Sequence, residues 1–313
     1  MRRRPEQKPE LEYALRRNTV LNGEYKLKHV ISSSELSIVY LATGKDGRKV
    51  AVKEFFPCQL ALRDTDRTSV ICRQPSLKGK YEELLQAFMR EVMIVKSLAH
   101  PSIAAYVGHV EANHTCYFVT DYCYGRRLDE LDSWSHPDVA ADFFENIVLP
   151  LMDALRYIHS QGVLHRDIKP ANIIIGKDGS PKLIDFGSAV YFEREKRHAI
   201  FTSTGYSPLE FYSERSRQGV HSDVYSLAAT LYYYCCGQAP LDVSRRLFED
   251  HLPPVRQHNK SVSPLLAWMI RWGLAVRQER RCGSVKLLQT AVQLECRKLR
   301  LQARFVRNRG SSR

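Results

Sequence analysis

Along the first 120 positions apolar residues fall in short bursts with the alternating spacing of strands. Segments 25–31, 38–42, 49–55 and 117–120 are rich in β-branched and aromatic residues and predict strands. Thr43-Gly44-Lys45-Asp46-Gly47 supplies a turn between two of them, and 57–80 reads as a polar connection containing proline. One helix interrupts the strands at 81–98 and stops at His100-Pro101, because the residue before proline is pushed out of the helical region. From Asp138 the spacing changes. Segments 139–159, 222–236, 263–274 and 284–301 carry apolar residues on one helical face, and Pro150 should kink or split the first. Strand-like pieces at 173–175 and 182–184 flank Gly176-Lys177-Asp178-Gly179, a hairpin signal. The pattern predicts an α+β chain with a small strand-rich lobe ahead of a larger helical one. Its expected divisions are a loose leader over 1–18, a first lobe over 19–123, a second over 124–295 and a basic tail over 296–313.

Composition changes this picture little. The 313 residues are 44% hydrophobic and 26% charged, ordinary globular usage that excludes wholesale disorder. No apolar run approaches the ~20 residues that span a bilayer, so no transmembrane segment is expected. Met1-Arg2-Arg3-Arg4-Pro5-Glu6 leads into no apolar stretch, so no secretory signal is expected there. Eight scattered cysteines without a Cys-x-x-Cys pair fit a reducing cytoplasm better than a disulfide framework or a zinc site. Charge is more informative. Of the net +13, seven positive charges lie between Arg297 and Arg313, where there is no acid. Such a tail can meet an acidic protein or an anionic lipid surface, or simply solubilise the chain end, and nothing in it specifies a nucleic acid. Segment 284–306 mixes leucines with arginines. Its first half is expected to pack as the last helix, and the rest to fray.

On the helix over 81–98, Leu84, Phe88, Glu91, Val95 and Leu98 share one face. A carboxylate on an apolar stripe either reaches water from the edge or needs a cation, since an unpaired buried charge costs about 3–5 kcal/mol. A candidate cation lies upstream, where the strand Val50-Ala51-Val52-Lys53 ends in a lysine. At this point the chain resembles the protein kinases, whose Val-Ala-Ile-Lys strand and following helix glutamate hold an amine toward phosphate.

The resemblance strengthens at His165-Arg166-Asp167-Ile168-Lys169-Pro170-Ala171-Asn172, similar to the kinase catalytic loop, and at Asp185-Phe186-Gly187 behind the predicted hairpin. It implies that Asp167 accepts the proton of the attacking hydroxyl and that Lys169 neutralises the transferred phosphoryl group. Asn172 and Asp185 would then bind Mg2+, or Mn2+, with hard oxygen ligands. Lys53 and Glu91 complete the implied catalytic set, and His165 is read as structural. The Asp-x-Lys form implies serine/threonine specificity. Glu210 in Tyr206-Ser207-Pro208-Leu209-Glu210 keeps the place of the family glutamate that pairs with an arginine, here Arg281, and Asp223 resembles the helix aspartate that braces the catalytic loop. Val119-Thr120-Asp121-Tyr122-Cys123 is similar to the hinge that grips adenine. The implied ATP-binding residues are Ile31, Ser32, Ser34, Ser37, Val39, Ala51, Lys53, Thr120, Asp121 and Cys123. The fold implied is the bilobal kinase fold.

One motif departs from the family. The phosphate-covering loop reads Ser32-Ser33-Ser34-Glu35-Leu36-Ser37-Ile38-Val39, with serine at all three glycine positions. Serine carries a Cβ and loses part of glycine's backbone freedom, so weakened or altered nucleotide binding is expected. This raises an alternative, a pseudokinase acting as a binding scaffold. The intact Lys53, Glu91, Asp167, Lys169, Asn172 and Asp185 favour an active enzyme that phosphorylates proteins, itself included. In the activation segment 188–207, Thr202 and Thr204 are the expected phosphorylation sites. Ser203 matches the residue that contacts the catalytic aspartate, and Arg166 is placed to bind an activation-loop phosphate. The lead-in 19–25 and the run Lys53-Glu54-Phe55-Phe56-Pro57 followed by Leu60-Ala61-Leu62-Arg63-Asp64 resemble soluble bacterial kinases of the eukaryotic-like type. That implies work in the bacterial cytoplasm, with delivery into a host cell as the other possibility.

Overall fold

A computed structural model describes residues 12–131, 137–192 and 199–310. The chain divides into two compact units, Met1–Ser97 with Ala104–Tyr122, and Leu98–Ile103 with Cys123–Arg313.

The first unit is built on a six-stranded antiparallel sheet. Its strands are β1 (Val20–Leu21), β2 (Tyr25–Ser33), β3 (Ser37–Thr43), β4 (Lys49–Phe55), β7 (Tyr106–Ala112) and β8 (Thr115–Asp121), in the order β1-β2-β3-β4-β8-β7. Alternation along β4 sets the two faces. Val50, Val52 and Glu54 are buried on one side, while Ala51 and Lys53 are half-buried on the other. Strand β7 was not predicted. Its interrupted apolar pattern, with Gly108 and His109 at its centre, hides a sheet edge that pairs with β8.

The segment read as a polar connection contains a second hairpin, β5 (Ala61–Arg63) with β6 (Val70–Cys72). Arg63 links it to the sheet by donating to both carboxylate oxygens of the fully buried Glu54, at 2.7 and 2.5 Å. Tyr40 donates its hydroxyl to the same carboxylate at 2.8 Å. The described part of the leader also packs. The Leu15 N–H donates to the Tyr40 hydroxyl, and the Tyr13 ring stacks on Phe56 at 5.2 Å. Residues 1–11 of that leader lie outside the described residues.

Helix α1 (Lys78–Ser97) buries Tyr81, Phe88, Glu91, Val92, Ile94 and Val95, with Phe55 of β4 against the rings of Tyr81 and Phe88. Glu91 is only 5% exposed, so it does not reach water from the edge of the stripe.

The second unit is mostly helical. Its helices are α2 (Pro137–Phe143), α3 (Leu149–Ser160), α4 (Val220–Cys236), α5 (Val255–His258), α6 (Pro264–Gly273) and α7 (Val285–Gly310). A π-helical turn, Phe144–Val148, joins α2 to α3. Pro150 therefore falls in the first turn of α3, where its missing N–H costs little. Helix α4 is buried along almost all its length and ends on Gly237 at φ +73°, the left-handed cap that glycine adopts freely. Gly273 lets α6 approach α4 closely, since a Cβ there would lie 2.7 Å from Ala228 Cβ. Small sheets complete the unit: β9 (Gly125–Arg127) beside the hairpin of β11 (Ile173–Gly176) and β12 (Pro181–Leu183), and β10 (Val163–Leu164) paired with β13 (Val190–Tyr191). Helix α7 does not fray near 301. It continues to Gly310 and buries Cys296, Leu299 and Ala303. Residues 311–313 of the expected tail lie outside the described residues. Among the described residues no helix is long and apolar enough to cross a membrane.

Candidate active site

In the first unit, β4 carries the lysine and α1 the glutamate. Lys53 Nζ donates to Glu91 Oε1 at 2.8 Å and to Oε2 at 3.0 Å. The lysine side chain is 18% exposed, so its amine is held by a buried carboxylate yet remains reachable. Cross-strand register pairs Val39 with Lys53 and Ala51 with Thr120. Val39, Ala51, Lys53 and Thr120 therefore lie half-buried on one sheet face. Ile31 sits at the β2 bulge between Val30 and Ser32. Asp121 ends β8, its N–H donating to Ala105 O at 3.0 Å, and Cys123 opens the chain's return to the second unit.

The serine loop links β2 to β3 and folds without strain. Among the described residues, none from Ser32 to Ser37 has positive φ. Ser34 closes the loop with its own side chain. Its hydroxyl oxygen accepts from the Leu36 N–H at 3.3 Å and the Ser37 N–H at 3.1 Å, and lies 3.0 Å from Ser37 Oγ. The Ser34 N–H donates to Ser37 O at 2.8 Å. Ser32 is exposed on the β2 side. The Cys58 N–H donates to Glu35 O and the Phe56 N–H to Leu36 O, sewing the loop tip to the chain after β4. The loss of backbone freedom expected from the serines thus carries no conformational penalty in this loop, whose dihedrals suit any residue.

In the second unit, three side chains converge on the Asp167 carboxylate. Lys169 Nζ and Asn172 Nδ2 each donate to its Oδ2 at 2.8 Å, and Ser203 Oγ donates to its Oδ1 at 2.7 Å. Lys169 also donates to Ser203 Oγ at 2.8 Å, and Asn172 Nδ2 to Asp167 O at 2.9 Å. The aspartate is presented by a backbone held from below. Arg166 has φ +66°, a left-handed conformation unfavourable for a long side chain. Fully buried Asp223 fixes it, accepting the His165 N–H at 2.9 Å, the Arg166 N–H at 2.8 Å and His159 Nε2 at 2.8 Å. Burial pushes the Asp223 carboxyl upward. The His159 and His165 contacts outweigh it and hold the group below the usual carboxylate range. His165 is fully buried, its Nδ1 accepting the Asp167 N–H and its ring edge-on to Phe186 at 4.6 Å. Burial lowers its proton affinity.

The Ile184 N–H donates to Asn172 O at 3.1 Å, so Asp185 directly follows the residue paired with the asparagine, and Asp185 Oδ1 accepts the Gly187 N–H at 3.1 Å. The Asn172 amide nitrogen serves Asp167, which leaves its carbonyl oxygen as the acceptor for an outside group. An amide oxygen and a carboxylate are hard donors, and among the described residues no larger cluster of metal-ligating side chains occurs. That set fits Mg2+, which keeps most of its shell for water and phosphate.

Around this centre, the Arg166 guanidinium donates to Ser188 O at 3.2 Å and Ala199 O at 2.7 Å and lies over Phe211. It thereby ties both ends of the segment whose residues 193–198 lie outside the described ones. Thr202 and Thr204 are exposed on either side of Ser203. Glu210 and Arg281 form a buried bidentate pair at 2.6 and 3.2 Å, with Ser222 donating to Glu210 Oε1 at 2.8 Å. Sequence reasoning missed His159, which lies 64 residues from Asp223 and carries no local signal. Glu54 and Arg63, within the run 53–64, likewise carry no local signal for the pair they form.

The model of the protein kinase domain family matches residues 25–292. The chain is 26% identical over 275 residues to the DNA damage-responsive serine/threonine-protein kinase RqkA of Deinococcus radiodurans, covering 84% of this chain and 38% of that protein. It is 29% identical over 181 residues to an Aurora kinase of Dictyostelium discoideum, covering 56% of this chain and 46% of that one. The chain thus spans less than half the length of these curated relatives. The solved structure described as the apo form of PpkA-294 superposes with a TM-score of 0.76 at 28% identity, covering 90% of this chain and 99% of that one.

Proposed function

The chain belongs to the protein kinase family, in its Hanks-type serine/threonine branch, and on that premise we propose that it transfers the γ-phosphoryl group of ATP to serine and threonine hydroxyls of proteins, its own activation segment included. The observation that carries this reading is the cradle around Asp167. A carboxylate that already accepts from a serine hydroxyl, at 2.7 Å from Ser203, has the geometry to accept from a substrate hydroxyl and take its proton. Lys169 then lies beside the attacking oxygen and offsets the negative charge developing on the phosphoryl group. Lys53, oriented by Glu91, offers its amine to the phosphates left behind. Asn172 and Asp185 would hold Mg2+, which when bound neutralises phosphate charge and aligns the leaving group. The sheet face carrying Val39, Ala51 and Thr120 supplies the apolar surface for the nucleoside. The strain-free serine loop supports catalysis over a scaffold that has lost its nucleotide. The reading places the enzyme in the cytoplasm, where thiols such as its eight cysteines stay reduced.

The test is transfer of label from ATP to generic protein substrates, with Mg2+ or Mn2+ and an Asp167→Asn control. The control should lose ~10²–10⁴ of the rate. No incorporation above the control in either metal overturns the proposal. Phosphopeptide mapping of the active enzyme should find Thr202 or Thr204 modified.

A further inference from the structure

Helix α7 has two faces, and only one is explained by the fold. Its inner face buries Leu288, Val292, Leu299 and Ala303. Its outer face carries Leu287, Leu294 and Leu301, exposed by 51%, 44% and 55%. They recur every seven residues, so at 3.6 residues per turn they fall within about 40° of one another and extend over about 21 Å. Lys286, Arg297 and Arg304, all exposed, flank this row on one side. From Val285 to Gly310 the helix has one acid, Glu295, which is buried and takes Lys298 at 3.0 Å. The acids bordering α7 are already paired: Asp142 and Glu145 with Arg300, and Asp153 with Arg156. Among the described residues, the outer face therefore presents leucines beside cations that no acid pairs.

Which partner fits follows from the spacing. A helical partner packing knobs into holes needs apolar residues at two positions of each heptad. Here the leucines fill one, and the other holds Thr290, Arg297 and Arg304. A second copy of this face would also oppose cation to cation. A single row of leucines beside a row of cations suits a planar surface that is apolar within and anionic at its boundary. We propose that the outer face of α7 docks the chain on a membrane leaflet carrying anionic lipid headgroups. The leucines enter the headgroup boundary and the cations meet the lipid charges.

The proposal does not depend on phosphoryl transfer, and its test needs no nucleotide. The full chain is sedimented with vesicles of phosphatidylcholine alone, or with phosphatidylserine added, at low and high salt. Binding should require phosphatidylserine and weaken as salt rises. Reversing two charges, Arg297→Glu with Arg304→Glu, should weaken it about tenfold or more. Leu294→Ser with Leu301→Ser should weaken it without changing its salt dependence. All four substitutions are at exposed positions, and unchanged melting temperatures will show that the variants fold. No binding to phosphatidylserine vesicles at low salt, equal binding to neutral vesicles, or unaltered binding by the variants overturns the proposal. So does binding only to an acidic protein.

Discussion

Ser203 Oγ donates to Asp167 Oδ1 at 2.7 Å and accepts from Lys169 Nζ at 2.8 Å. One hydroxyl thus bridges the proposed base and the proposed phosphoryl-stabilising cation. It keeps the carboxylate turned toward the position of an incoming hydroxyl, and it ties the activation segment to the catalytic loop. Ser203→Ala should lower kcat about tenfold to a hundredfold, the weight of one hydrogen bond to a charged group. Ser203→Thr should retain most of the rate, because the hydroxyl survives. Steady-state rates at saturating ATP separate the two. An alanine variant as fast as the parent would remove Ser203 from the mechanism.

Ser34 closes the loop that lacks glycines by accepting from the N–H groups of Leu36 and Ser37. Ser34→Ala removes that acceptor and releases the loop, so the KM for ATP should rise several-fold while kcat changes less. Ser34→Gly should fall between, since glycine lets the backbone approach phosphate but gives up the side-chain contact. Titrating ATP for the three proteins checks the order. Alanine and glycine variants indistinguishable from the parent would show that the hydroxyl has no part in nucleotide binding.

Arg281 and Glu210 are both buried and bidentate. Arg281→Met leaves the Glu210 carboxylate with only the Ser222 hydroxyl and His221 nearby, and should cost about 3–5 kcal/mol of stability. Adding Glu210→Gln to it should recover part of the loss, because the buried charge is then gone. Urea denaturation of the single and double variants measures both. Equal losses in the two would mean that the hydrogen bonds, rather than the charge, dominate the pair.

His165 is fully buried and its folded proton affinity is lowered. The unfolded chain therefore takes up the proton first as pH falls. The stability this group contributes is complete above the ordinary histidine value of 6.5 and is lost as pH drops below it toward the lower folded value. Asp223, also held low, loses its contribution in the same direction at lower pH. The melting temperature should fall between pH 7 and pH 5. His165→Phe, which can keep the edge contact with Phe186, should flatten that slope. A parallel slope in the variant would assign the acid sensitivity to other groups.

Much of this protein was determined by local sequence. The change from alternating to helical spacing placed β2, β3, β4 and β8 of the first unit and the longer helices of the second, while β5, β6 and β7 escaped it. The hairpin at 173–183 followed from a turn run between two strand-like triplets, and the residues around Asp167 and Asp185 follow one another within a short stretch of chain. Local signals of this kind survive in a one-dimensional reading because they rest on backbone geometry. Tertiary structure decided what depends on partners far apart in the chain. Glu91 became an ion-paired core residue only when β4 brought Lys53 to within 2.8 Å across 38 positions. His159 reached Asp223 across 64 positions, and Glu54 drew the β5–β6 hairpin onto the sheet through Arg63. The serine loop turned on the same distinction. Composition placed a Cβ where glycine was expected, whereas the folded backbone adopts dihedrals that tolerate it, and a hydroxyl aimed at two amides makes use of it. A buried polar group must find its partner wherever the fold supplies one. That partner's position is a property of packing, which no run of neighbouring residues encodes.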